Sequence, residues 1–116
     1  MKSTWILLAL LLANSVPAFA ETLSLQRQQE LLYMLRHDCG SCHGMLLHGG
    51  LGPALLPENL QGKAPDGLGA TIFYGRPGTA MPPWRALLTW TEINWLVSQL
   101  RQGRLNQRQL AINPKN

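Results

Sequence analysis

Four groups of apolar residues stand out along the chain, and in three of them the spacing is that of a helix rather than a strand. The exception is the first, an unbroken run from Trp5 to Ala13 that follows Lys2 and leads to Ala18-Phe19-Ala20. A short apolar stretch between a basic start and a small-x-small end reads as a secretory signal peptide over residues 1–20. It falls short of the roughly 20 apolar residues a bilayer-spanning helix needs, and no later run approaches that length. From Leu23 to His37 neither Gly nor Pro occurs, and Leu25, Leu31, Leu32, Met34 and Leu35 give a predicted first helix a broad apolar face. Asp66 as cap, Leu68, Ile72 and Phe73 on one side and Gly75 as stop predict a shorter helix. Ile93, Leu96, Val97 and Leu100 recur at i, i+3, i+4 and i+7 behind Thr89-Trp90-Thr91-Glu92, which has the form of a capping box. This last helix is predicted to run to about Gln102, to stop at Gly103 and, with Trp95 alongside, to cross the first. Pro57 to Gln61 suits one helical turn, and Gly44 to Leu56 is a Gly-rich loop. The expectation is an all-α fold of three main helices plus a short turn.

Charge and length narrow the picture. The formal net charge is +4; cleavage after Ala20 leaves 96 residues with nine basic and six acidic side chains, a net charge of +3. Arg101, Arg104, Arg108 and Lys115 all follow the last acidic residue, Glu92, so the excess gathers in a polar, patternless tail. We expect one domain over residues 21–103 and a disordered basic tail over 104–116. The broad basic face with interleaved aromatics expected for nucleic-acid binding is missing. A domain this small has a thin core and gains from an apolar group fixed at its centre.

The two cysteines of the chain stand three positions apart in Cys39-Gly40-Ser41-Cys42-His43. Cys-x-x-Cys-His is the c-type haem attachment pattern: two thiols reach two vinyl groups of one porphyrin, and the next residue offers an imidazole to the iron. Other readings stand beside it. A redox dithiol would want a βαβ setting; zinc held by Cys39, Cys42, His43 and His48 would crowd four ligands into ten residues; and an oxidising compartment permits a plain disulfide. Met45, two residues beyond His43, spans too short a path to reach the opposite face of a porphyrin. His48 would need a nearly extended path through a Gly-rich turn, and solvent exposure is the plainer expectation for it. Gly49-Gly50-Leu51-Gly52-Pro53 is placed to pass over the His43 side, with the Pro53 carbonyl accepting the other ring proton of His43. Met81, 38 residues beyond His43, lies in Arg76-Pro77-Gly78-Thr79-Ala80-Met81-Pro82-Pro83-Trp84. The prolines after it stiffen the loop and bias Met81 away from helix, as suits a thioether held over a metal, although methionines also serve as core packing. Arg76, Lys63 and Trp84 are candidates for holding haem propionates.

A helix leading into Cys39-Gly40-Ser41-Cys42-His43, Gly52-Pro53, the Met81 loop and an aromatic-bearing last helix together resemble class I cytochromes c over nearly the whole mature chain. More narrowly, Cys-Gly-Ser-Cys-His-Gly-Met (39–45), Gly-Gly-Leu-Gly-Pro (49–53) and Gly-Arg-Pro-Gly-Thr-Ala-Met-Pro-Pro-Trp (75–84) are similar to the small periplasmic NirC-type cytochromes encoded beside the haem cd nitrite reductase of denitrifying bacteria. The resemblance implies the class I cytochrome c fold around one covalent haem c, with Cys39, Cys42, His43, Met81 and Pro53 at the cofactor and His43 and Met81 as the metal ligands. It implies a periplasmic, monomeric electron carrier, not an enzyme and not inserted in the membrane, whose redox partner is the nitrite reductase. A second implied role is in maturation of that enzyme's d-type haem. A haem-based sensor or peroxidase would require Met81 to leave the iron. Where class I proteins often carry Gly and an aromatic in the first helix, Leu31 and Leu35 stand here.

Overall fold

The computed structural model describes residues 22–105. The expected signal peptide, and the expected tail beyond Leu105, lie outside the described residues. Ser24 opens the first helix, α1 (Leu25–Met34), its hydroxyl accepting the Arg27 N–H at 3.1 Å. The apolar stripe turns inward at Leu31, fully buried, and Leu35, 2 % exposed. Helical backbone does not stop at His37 as the sequence suggests. It widens into one π turn (Leu35–Cys39) and runs on as α2 (Gly40–His43). A π turn holds an extra residue per turn and so rotates the downstream side chains relative to the preceding stripe. Leu35 therefore still packs in the core while Cys39 and Cys42 face a cavity enclosed by the helices.

Pro57–Leu60 forms a 3-10 turn with Leu60 buried. In the next helix, α3 (Pro65–Tyr74), the cap is Ala64 and not Asp66. Pro65 explains the shift: its ring presets the helical φ, and its missing N–H is one that a first-turn residue would leave unbonded anyway. Asp66 lies inside the first turn, where its charge faces the positive end of the helix dipole. The last helix, α4 (Trp90–Arg101), starts as the sequence predicts: Thr89 Oγ1 accepts the Glu92 N–H at 3.3 Å and Glu92 Oε2 accepts the Thr89 N–H at 2.7 Å.

Glu92 does more than cap. Arg27 Nε donates to Glu92 Oε1 at 2.6 Å and joins α1 to α4, and Glu92 is 8 % exposed. Ile93, Leu96, Val97 and Leu100 fill the core beside Leu31 and Leu35, each burial contributing about 1.5–3 kcal/mol. On the other side α3 lies on α4, with Phe73 stacked on Trp90 at 4.4 Å between ring centroids. Leu105, placed by sequence in the tail, is 8 % exposed and belongs to the core. Among the described residues every regular element is helical, so the fold is all-α. None of these helices is long and apolar enough to cross a membrane.

A candidate cofactor cavity

The helices enclose a cavity of about 840 Å³, inside the range of roughly 300–1,000 Å³ usual for cofactor sites. Leu35, Leu60, Leu68, Ile72, Leu96 and Leu100 form its apolar wall. Cys39, Cys42, His43, Pro53 and Met81 all open onto it, although up to 42 residues separate them in the chain. The π turn and α2 deliver the first three, the Gly-rich loop delivers Pro53, and the loop before α4 delivers Met81.

Both cysteines are free thiols. Burial pushes the Cys39 thiol up to about 11, and the charges of Asp38 and Cys42 add to the shift. Among the described residues no three His, Cys, Asp or Glu side chains converge as a metal-ion group, and exposed His48 does not line the cavity.

His43 Nδ1 lies 2.7 Å from the Pro53 carbonyl oxygen. A carbonyl can only accept, so Nδ1 carries a ring proton, and in the neutral imidazole Nε2 then keeps its lone pair. The loop that brings Pro53 round is closed by its own backbone: the N–H groups of Gly49 and Gly52 donate to the His43 and Cys42 carbonyls, both at 2.8 Å. Leu47 supports the turn in a conformation few side chains adopt, φ 61°, with its side chain 3 % exposed in the core. Gly52 lies close against the imidazole. A Cβ there would stand 2.7 Å from His43 Cε1 and 2.8 Å from Nδ1, so only glycine leaves the ring its place.

The Met81 loop is closed differently. The Arg76 N–H donates to the Met81 carbonyl at 3.1 Å, and the Thr79 hydroxyl donates to the Arg76 carbonyl at 2.7 Å. The same hydroxyl oxygen accepts the Met81 N–H at 3.3 Å. At the loop's root Gly75 has φ 68° and ψ −170°, a region nearly confined to glycine, and a Cβ on it would lie 2.7 Å from the Pro82–Pro83 backbone. The Trp84 N–H then donates to the Ile72 carbonyl at 3.0 Å and ties the loop to α3.

Lys63, Arg76 and Trp84, singled out from the sequence, also line the cavity, whereas Tyr33, Met34 and Met45 do not. His37 is a lining residue that sequence reasoning missed; it packs against Tyr33 at 4.2 Å. Its signal was hidden because the π turn, not an ordinary α turn, decides which way it faces. One imidazole nitrogen, one thioether sulfur and two thiols around an apolar space suit an iron porphyrin held by two thioethers, and the cavity has the size for it.

Comparison with known proteins agrees. The family model described as cytochrome C oxidase, cbb3-type, subunit III, matches residues 25–98. Cytochrome c55X of Pseudomonas aeruginosa is 49 % identical over 102 residues, covering 87 % of this chain and 86 % of that protein. Among solved structures, a c-type cytochrome NirC superposes with a TM-score of 0.70 at 51 % identity, covering 72 % of this chain and 98 % of the other. A dihydro-heme d1 dehydrogenase NirN, solved in complex with DHE, matches with a TM-score of 0.54 at 38 % identity, over 60 % of this chain but 15 % of its own.

Proposed function

The chain belongs to the cytochrome c family, as a carrier of the c55X and NirC kind with one covalently attached haem c, and from that premise we propose that it delivers single electrons in the periplasm to a haem cd nitrite reductase. One observation carries the reading: His43 and Met81, far apart in sequence, open onto one cavity between the two attachment thiols and the apolar wall. The bound haem supplies a one-electron iron couple. Around it the residues have separable tasks. Cys39 and Cys42 would hold the porphyrin, and the Pro53 carbonyl at His43 Nδ1 would leave Nε2 as the donor to the iron. Met81 would supply a thioether sulfur, a donor that favours the reduced metal. With His43 and Met81 both given to the iron no place would be left for a substrate, and the chemistry that would remain is electron transfer.

The test begins with spectra of the mature holoprotein. Sharp reduced bands with a weak far-red band in the oxidised form mark thioether–iron ligation; ready binding of carbon monoxide to the ferrous protein would instead favour a sensor or peroxidase. Rapid mixing of the reduced protein with haem cd nitrite reductase should then reoxidise it in a single fast phase. No reoxidation by that enzyme would sink the partner assignment.

A second role has its own support. A protein named for dehydrogenating dihydro-haem d1 contains a portion similar to this chain, so the same kind of domain accompanies d-type haem chemistry. In that role this chain would exchange electrons during maturation of the d-type haem. Deletion of the gene separates the two: an enzyme that contains its d-type haem but turns over slowly supports delivery, and an enzyme lacking that haem supports maturation.

A further inference from the structure

One contact between distant parts of the chain lies outside both the core and the two loops that carry His43 and Met81. Arg101, the last residue of α4, donates from Nη1 to the backbone carbonyl of Lys63 at 2.9 Å, although 38 positions separate the two. Lys63 stands in the short link between the 3-10 turn and α3, just after Gly62 at φ 74°. Its own N–H donates to the Leu60 carbonyl at 3.2 Å. Both backbone polar groups of Lys63 are therefore taken, one by the turn and one by the end of the last helix. Its side chain lines the cavity and stays exposed to water. Among the described residues the ion pairs belong to Arg27, and the Lys63 ammonium has no carboxylate partner. Asp38 and Arg76 also line the cavity, but Asp38 belongs to the π turn that bears Cys39 and Arg76 to the Met81 loop. Lys63 is a cation at the cavity that stands apart from both ligand-bearing segments.

We propose that Arg101 is a positioning residue for electron transfer: by fixing the Lys63 backbone it keeps the Lys63 cation beside the cavity, where that charge raises the reduction potential of the bound haem. The inference rests on the electron-carrier reading and deepens it. Reduction brings one electron, and with it one negative charge, into the cavity, with no bond made or broken and no proton moved. A cation at the wall attracts that charge and favours the reduced form. The two side chains divide the work by their chemistry. An ammonium on a four-carbon stem is a mobile point charge, so how close it stays depends on where its backbone is held. A guanidinium is planar and always charged, which suits it to a fixed hydrogen bond, and at the C-terminal end of α4 the helix dipole favours it further. Leu96 and Leu100 of the same helix form cavity wall, so a link held from Arg101 keeps a set relation to the cavity. Because Lys63 is open to water, solvent and salt screen its charge and the effect is modest.

The experiment is a redox titration of the mature holoprotein, with the far-red band of the oxidised form as the check that thioether ligation is intact. K63M should lower the equilibrium constant for reduction about threefold, which is ~30 mV at about 59 mV per tenfold for one electron. Salt near 1 M, where the screening length is roughly 3 Å, should shrink that shift. R101M should lower the constant about twofold. R104M removes an equal charge from an exposed residue that does not line the cavity and should match wild type. The decisive comparison is the double variant: acting through Lys63, R101M in the K63M background adds no further shift. R101Q, with a shorter and neutral donor, is the milder second variant and should move the potential in the same direction as R101M. An unchanged potential in K63M, equal shifts from R101M with and without Lys63, or a shift from R104M as large as that from R101M would overturn the proposal. So would loss of the far-red band in both Arg101 variants, since Arg101 would then be a structural residue. A wild-type chain that attaches no haem would sink the electron-carrier reading and the proposal with it, whereas a normal haem protein whose potential ignores Lys63 sinks the proposal alone.

Discussion

The loop on the His43 side and the loop on the Met81 side enclose one cavity by opposite means. His43 sits at the end of a continuous helical path and its ring is fixed twice, by the 2.7 Å bond to Pro53 and by the close approach of Gly52. The Met81 side chain has no hydrogen bond to fix it; its backbone is fixed instead, through Thr79, Arg76 and the glycine at the loop's root. The difference comes from the donors. An imidazole has a second nitrogen by which it can be oriented and tuned, and a thioether has none, so the chain can place a sulfur only by stiffening the backbone that carries it. The His43 side should therefore govern assembly and the Met81 side the potential and ease of release.

The strongest way to break that contrast is to remove each donor. H43A should abolish recovery of stable holoprotein, whereas M81A should keep its covalent haem, bind carbon monoxide and lower the reduction potential by ~0.2 V, measured by redox titration. Next come the two glycines. G75A forces a side chain into a nearly glycine-only conformation against the Pro82–Pro83 backbone and should destabilise the Met81 loop by about 3 kcal/mol, read as early loss of the far-red band in denaturant. G52A presses a Cβ on the His43 ring and should displace it from the Pro53 carbonyl, so the His43 Nδ1–H resonance should move while the covalent haem stays.

A smaller effect tests the frame that both loops share. Hydrogen bonding from Arg27, with further help from Thr89, holds the Glu92 carboxyl below its usual range in spite of burial. Since the folded form binds its proton less readily than the unfolded chain, this stabilisation is full above the unfolded value of about 4.3 and is lost as pH falls through the lower folded value. E92Q should cost about 1–3 kcal/mol at neutral pH by chemical denaturation, with the gap to wild type closing in acid. T79V should be the mildest, about 1 kcal/mol confined to release of Met81, with T79S restoring wild-type behaviour.

How much of this the sequence revealed depended on the range of the interaction. The capping box at Thr89 and Glu92 involves neighbours three apart and was legible in full. The attachment segment was legible because thioether chemistry dictates its spacing, and the Pro53 contact because a short Gly-rich loop has few places to go. The π turn was not, since no residue type between Leu35 and Cys39 distinguishes it from an α turn; packing on both sides selects it. Nor was the Arg27–Glu92 pair, whose members are 65 residues apart and which matches no local pattern. Asp66 has the chemistry of a cap, but Pro65 makes the stronger demand and starts the helix two residues earlier. Leu105 looked like the start of a tail because one apolar residue among polar ones shows no period.

The Arg27–Glu92 pair also ties closure of the cavity to the last helix. Arg27 lies on the first helix and its partner on the last, and Leu96 and Leu100 of that last helix supply part of the cavity wall. Without that helix the two thiols would lie in an open cleft, and a chain cut short before Leu96 would carry Cys39, Cys42, His43 and Met81 yet have no wall to close over them.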